Sequence, residues 1–176
     1  RLLSKVVPGT SQAEYFPLGR QATLRFKQDV GDIAPWSFEA LNMSDGTLRA
    51  LGILLAVYQM SRPPLIAIEE PEATIHPAAL DVIIDILKDG SSRSQILVTT
   101  HSPDLVDSRK IRDDELRVVI NEKGRTTISP LSTTTRSVIR DNLYSPGELL
   151  KIEKLIPEPG QEQRRLFSAP AKPHAQ

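Results

Sequence analysis

Hydrophobic and polar positions change period several times along the chain, and each change marks an element. From Gln21 to Lys27 the segment QATLRFK alternates around Ala22, Leu24 and Phe26, which predicts a half-buried strand leading into a turn at Gly31-Asp32. Residues 1–20 carry no comparable pattern. Leu48, Leu51, Leu55 and Tyr58 then recur at helical spacing directly after Ser44-Asp45-Gly46-Thr47, so a helix is expected with Ser44 as its N-cap. After Pro63-Pro64 the run Leu65-Ile66-Ala67-Ile68 is continuously apolar and enters Glu69-Glu70-Pro71-Glu72, the pattern of a strand buried on both faces. Pro77 can open a second helix whose apolar stripe is Leu80, Ile83, Ile84 and Leu87, with Gly90 as its stop. Gln95 to Thr100 reads as another buried strand, ending at His101-Ser102-Pro103. Strand, helix and strand joined by a crossover of this length give a parallel pair, and hence an α/β fold. Leu116–Ile120 and Thr126–Leu131, joined through Glu122-Lys123-Gly124, predict a terminal hairpin, and Gly147–Leu155 a last helix.

Composition narrows the class without naming a function. The 176 residues are 39% hydrophobic, enough for one ordinary domain that buries about 70% of its unfolded surface. Four of the 14 prolines fall in the last 20 residues beside Gln161, Gln163 and Gln176, which predicts a disordered tail over 157–176 after a folded lobe at 1–156. The 22 basic side chains balance 22 acidic ones, which argues against a strongly basic nucleic-acid platform. Without cysteine, disulfides and thiolate zinc sites are excluded. No apolar run approaches the roughly 20 residues that span a bilayer, so a soluble, cytoplasmic protein with no membrane partner is expected. The chain starts at Arg1 without the features of a signal peptide, and it is expected to begin inside a longer protein.

Ligands of doubly wound sheets collect at the carboxyl ends of parallel strands, where this chain places Glu69-Glu70 and His101. An apolar strand ending in two carboxylates is the Walker B arrangement: the first can hold Mg²⁺ or its hydration shell, and the second can orient or deprotonate an attacking water. Taken singly, the pair also has a plainer reading, as a capped strand end facing solvent. Ser44-Asp45-Gly46-Thr47 combines a hydroxyl, a close-approaching glycine and unpaired helix amides, which suits a phosphate but also serves as a plain cap. His101 alone would more often be a buried structural histidine.

The ordered set LNMSDGTLRALGILL, PLIAIEEPEATIHP and QILVTTHSPDL resembles the C-terminal half of an ABC-type ATPase head, a P-loop NTPase fold. The likeness is to the predicted ATPases of the AAA family grouped with the RecF, SMC and OLD (overcoming lysogenization defect) proteins, and it runs from about Gln21 to Leu155. Ser145 to Leu149 is similar to the GEL segment of that group. The resemblance implies ATP and Mg²⁺ as cofactors. It makes Ser44, Asp45, Gly46 and Thr47, with Met43, the signature motif that binds the γ-phosphate held by the opposite subunit of a head-to-tail dimer. Glu69 becomes the metal-side acid, Glu70 the catalytic base, and Ala73 through His76 the D-loop at the dimer seam. His101 becomes the switch histidine facing the γ-phosphate and water. Glu69 departs from the usual aspartate, and its longer arm leaves open whether it touches the metal directly or through water.

A larger departure is the absence of G-x-x-x-x-G-K-[ST]: none of the nine glycines is followed by lysine. Because Walker A precedes the signature in the family, the chain is expected to be the C-terminal portion and inactive alone, its partner being the Walker A half or a second copy. The group also implies DNA maintenance or anti-phage defence, with DNA or a separate effector nuclease as further partners. The alternative is a non-hydrolysing, nucleotide-gated dimerisation scaffold. A nuclease within the chain is disfavoured because no D-x-D occurs, and Asp113-Asp114 reads as a solvated turn. Zinc on Glu72, His76 and His101 is disfavoured by Pro71 and Pro77, which break the helix that would align the first two. A triad of Ser102, His101 and Asp104 fails because chain neighbours seldom converge.

Overall fold

The computed structural model describes residues 2–158 apart from Arg62 and Lys123. They fall into two compact units, one ending at Lys110 and one starting at Ile111.

The first unit opens with helix α1 (Leu3–Val6), followed by strands β1 (Thr10–Leu18), β2 (Gln21–Gln28) and β3 (Trp36–Glu39), an antiparallel sheet with β2 in the centre. The alternating Ala22-Leu24-Phe26 segment is β2, and Phe26 is fully buried. β1 lies in the stretch that shows no pattern in the sequence. Its connection to β2 is the two-residue Gly19-Arg20 loop, with Leu18 opposite Gln21 and Gly19 at φ +60. Pro17 is tolerated because β1 is an edge strand.

Helix α2 (Asp45–Tyr58) is capped as expected: Ser44 Oγ accepts from the Thr47 amide at 3.2 Å. Its fully buried face is rotated from the leucine stripe, of which Leu48, Leu51 and Tyr58 pack partly buried against the core. Thr47, Ala50, Ile53, Leu54 and Val57 are buried, whereas Leu55 is 60% exposed. The segment is apolar on almost every side, so leucine spacing alone cannot select a face. Core packing favours the face where small Ala50 lets the helix approach Ile83, Ile86 and Leu87 of helix α3 (Leu80–Ser91). Pro77 opens a 3-10 turn at Pro77–Ala79 that leads into α3. Gly90 is not the stop of α3, which runs on to Ser91. It is buried, and a Cβ there would lie 2.7 Å from Val57 Cγ1, so the glycine permits α2 and α3 to approach.

Strands β4 (Leu65–Glu69) and β5 (Gln95–Thr99) pair in parallel, Leu65 opposite Gln95 through Glu69 opposite Thr99. The expectation of burial on both faces is corrected. Ile66 and Ile68 with Ile96 and Val98 turn inward, but Leu65 and Leu97 are 49% and 53% exposed, and Ala67 shares their face. Within the described residues of this unit, one face of the pair is covered by α2 and α3 and the other carries no layer, so a continuous apolar run reads here as alternation. Helix α4 (Pro103–Val106), capped by Ser102, follows β5.

In the second unit β6 (Arg117–Glu122) and β7 (Arg125–Pro130) form the expected hairpin. Helix α5 (Thr133–Arg140), capped by Ser132, is not evident from apolar periodicity. The last helix, α6 (Pro146–Lys151), is shorter than expected: a Ser145–Glu148 capping box starts it, and Glu153, in the left-handed region at φ +54, follows its end. The acidic pair is not simply solvated, since Asp113 pairs with Arg140 at 2.8 Å. The Arg112 guanidinium holds the Asp114 carboxyl below its ordinary value through a hydrogen bond. Pro157 bridges to Leu131 and the Glu158 side chain accepts from the Thr133 amide, while the rest of the expected tail, 159–176, lies outside the described residues. No described helix is long and apolar enough to cross a membrane.

Candidate functional site

The parallel pairing brings the carboxyl ends of β4 and β5 side by side, and the chemistry-bearing residues sit just beyond them. Glu70 Oε1 lies 4.0 Å from His101 Nε2, with the histidine 90% exposed. Glu69, opposite Thr99 at the last rung, also presents an exposed side chain. An exposed carboxylate beside a phosphate-bearing ligand suits Mg²⁺, which keeps several waters and takes one or two carboxylates. One exposed carboxylate is compatible with a hydrated Mg²⁺, and among the described residues no group of three or more His, Asp or Glu side chains could hold a metal by itself.

Glu70 adopts φ +42, in the left-handed region that a non-glycine residue enters at a cost of about 1 to 3 kcal/mol. Its neighbours hold it there. The Glu70 amide donates to the Thr99 carbonyl at 2.9 Å. Arg49 Nη2, from the first turns of α2, donates to the carbonyls of both Glu69 and Glu70, the latter at 2.7 Å. Arg49 Nε is buried without a hydrogen-bond partner among the described residues, and Nη2 makes both of these bonds. The strained turn that points Glu70 toward His101 is thereby tied to the helix carrying the SDGT segment.

Gly46 makes a second tie. A Cβ at this position would fall inside contact distance of the Thr74 carbonyl oxygen and 3.2 Å from its carbon, so only glycine lets α2 rest on the 73–75 turn. Thr74 is itself left-handed, at φ +65. Ser44 and Asp45 are exposed at the amino end of α2, where unpaired amides and the helix dipole favour an anion. Thr47 is buried, and its hydroxyl is 2.9 Å from Ser44 Oγ, so its side chain supports the cap rather than facing a ligand. His76 is exposed; its Nδ1 accepts from the Ala78 amide at 3.2 Å and caps the turn before α3.

Two contributions escape a reading by motif. Arg49 stands in SDGTLR without an evident partner, and its carbonyl acceptors follow only from the packing of α2 on β4. Glu72, weighed in the sequence as a zinc ligand, instead accepts a hydrogen bond from Thr100 Oγ1. The proline-rich setting of Glu72 hints at a fixed turn, but nothing in the sequence pairs it with a residue 28 positions away.

Comparison with known proteins bears on the family and the fold. A family model described as "AAA domain, putative AbiEii toxin, Type IV TA system" matches residues 17–107, more than half of the chain. The chromosome partition protein Smc of Mycoplasma genitalium is 33% identical over 61 residues, 35% of this chain and 6% of that protein, so the chain corresponds to a small part of this relative. A solved structure from work on ATP-driven dimerization and DNA stimulated activation of SMC ATPases superposes with a TM-score of 0.56 at 18% identity, covering 81% of this chain and 86% of the other. The Smc head domain with a coiled coil and joint derived from Pyrococcus yayanosii gives 0.57 at 20% identity, over 81% of this chain and 27% of the other. An SmcHead bound to the C-winged helix domain of ScpA gives 0.57 at 20% identity, over 77% and 41%. The chain belongs to the AAA-domain family whose model it matches, and its fold is the one that SMC ATPase heads adopt.

Proposed function

We propose that this chain is the signature and Walker B portion of an ABC-type ATP hydrolase whose heads close head to tail around nucleotide. The observation that carries the reading is the Glu70–His101 pair, 4.0 Å apart at adjacent strand ends. A carboxylate and an imidazole at that separation can share one water between them, the carboxylate accepting its proton and the imidazole fixing its orientation. Glu69 would hold the magnesium side. Ser44, Asp45 and the amides around Gly46 would meet the γ-phosphate of the opposite head, with His76 on the D-loop at the seam. ATP supplies the phosphoryl group when bound, and Mg²⁺ offsets its charge. The remaining groups, a Walker A lysine above all, would come from a P-loop half, without which this chain does not turn over.

The cellular setting we propose is cytoplasmic, in DNA maintenance or defence against foreign DNA, with DNA or a separate effector nuclease as the further partner. The solved SMC relatives are described by ATP-driven dimerization, DNA stimulation and ScpA binding, which supports that setting by analogy. The test is ATP hydrolysis by the purified chain alone and mixed with a P-loop-bearing half of the same head. Mg²⁺-dependent turnover only in the mixture is expected. Turnover by the chain alone would refute the division of labour, and nucleotide-dependent association with no turnover in the mixture would identify a scaffold.

A further inference from the structure

The turn after β4 and the loop after β5 are joined by a chain of hydrogen bonds that runs behind the Glu70–His101 pair. The Ser102 amide donates to Thr100 Oγ1 at 2.9 Å. With that lone pair occupied, the Thr100 hydroxyl proton is directed to Glu72 Oε1. Ser102 Oγ in turn accepts from the Leu105 amide at 3.3 Å and caps α4, so the residues on both sides of His101 are fixed. Glu72 Oε2 is buried with no hydrogen-bond partner among the described residues. Among the described residues the Thr100 hydroxyl is thus the one hydrogen-bond donor to this carboxylate, and its loss would leave both oxygens unpaired at a cost. Glu72 is two residues beyond Glu70, and Thr100 is one before His101.

We propose that Glu72 and Thr100 form a positioning relay: the carboxylate orients the Thr100 hydroxyl, the hydroxyl holds the Ser102 amide, and His101, between them, is aimed at Glu70. Neither residue is assigned a contact with substrate. The relay rests on the reading of His101 as the switch histidine only for its consequence in turnover, because its geometric part concerns the loop itself. It works through acceptor and donor capacity rather than charge. Thr100→Ser and Glu72→Gln therefore keep it, since serine retains a hydroxyl and glutamine a carbonyl oxygen. Thr100→Val and Glu72→Leu break it at nearly unchanged volume.

The experiment uses the 176-residue chain and these four variants. Amide exchange at Ser102 and the proton–proton Overhauser contact between the His101 imidazole and the Glu70 side chain are read by NMR, with α3 core amides as the fold control. In Thr100→Val and Glu72→Leu, Ser102 protection is expected to fall about tenfold and the His101–Glu70 contact to disappear, with α3 unaffected. Both are retained in Thr100→Ser and Glu72→Gln. Retention of the contact in Thr100→Val or Glu72→Leu overturns the proposal, as does its loss in both conservative variants. In the hydrolysing mixture the breaking variants lower kcat with KM for ATP unchanged, whereas an equal rise in KM would mean that the relay shapes binding instead and overturn its assignment to His101. If the wild-type mixture does not hydrolyse ATP, the proposed activity fails while the NMR result still decides the relay.

Discussion

Glu70→Gln is expected to lower ATP turnover in the assembled head by about 10² to 10⁴-fold, the range for losing a positioned general base, while nucleotide-driven association persists. The backbone bonds around Glu70 make this separation clean. What holds Glu70 in its left-handed turn are bonds to its amide and carbonyl, from the Thr99 carbonyl and the Arg49 guanidinium. Glutamine preserves both and fills nearly the same volume, so the turn keeps its shape and His101 keeps its neighbour. Only the basic oxygen is removed. Steady-state phosphate release and light scattering with ATP, compared between the two proteins, check it. Normal turnover by Glu70→Gln would remove the base assignment and leave the 4.0 Å pair as a structural contact.

Gly46→Ala is the second large effect, and it acts on the joint between the SDGT helix and the turn after Glu70. The added methyl would press on the Thr74 carbonyl, which is backbone in a left-handed residue and has no rotamer through which to yield. Overpacking of this kind costs about 1 to 3 kcal/mol, and here it also lifts the amino end of α2 off the 73–75 turn. Gly52 provides the internal control: it lies in the same helix, and a Cβ there meets nothing within 4 Å. Gly52→Ala should stabilise by about 0.5 to 1 kcal/mol through helix propensity. Denaturant unfolding of the two variants is expected to move in opposite directions. A Gly46→Ala protein as stable as wild type would show that the turn is free to shift.

How much of this could be read from the chain depends on whether the determining contact is local. The Ser44 cap, a helical start at Pro77 and the parallel pairing of β4 with β5 all follow from residues a few positions apart or from a crossover length, and all three stand, the start at Pro77 as a 3-10 turn. The face buried by α2 does not follow, because an all-round apolar helix is oriented by what packs on it. Nor does the exposure of Leu65 and Leu97: an apolar run states that a strand can be buried on both faces, and only neighbouring layers decide whether it is. Strand β1 was hidden by its irregular polarity, although the Gly19-Arg20 loop was a usable hairpin signal.

By itself, then, the sequence determined the elements with strong local codes and, through its three motifs, the candidate residues Ser44 to Thr47, Glu69, Glu70 and His101, of which Thr47 turns its hydroxyl to the Ser44 cap. Tertiary structure alone decided how those residues are held. Arg49 reaches two carbonyls at the end of β4, Gly46 meets Thr74, and Thr100 bonds Glu72, each between residues 20 or more positions apart. Local codes record what a backbone segment prefers on its own. Hydrogen bonds and close approaches between distant segments exist only after the core of α2, α3 and the two parallel strands has set the distances, so no periodicity in the sequence carries them.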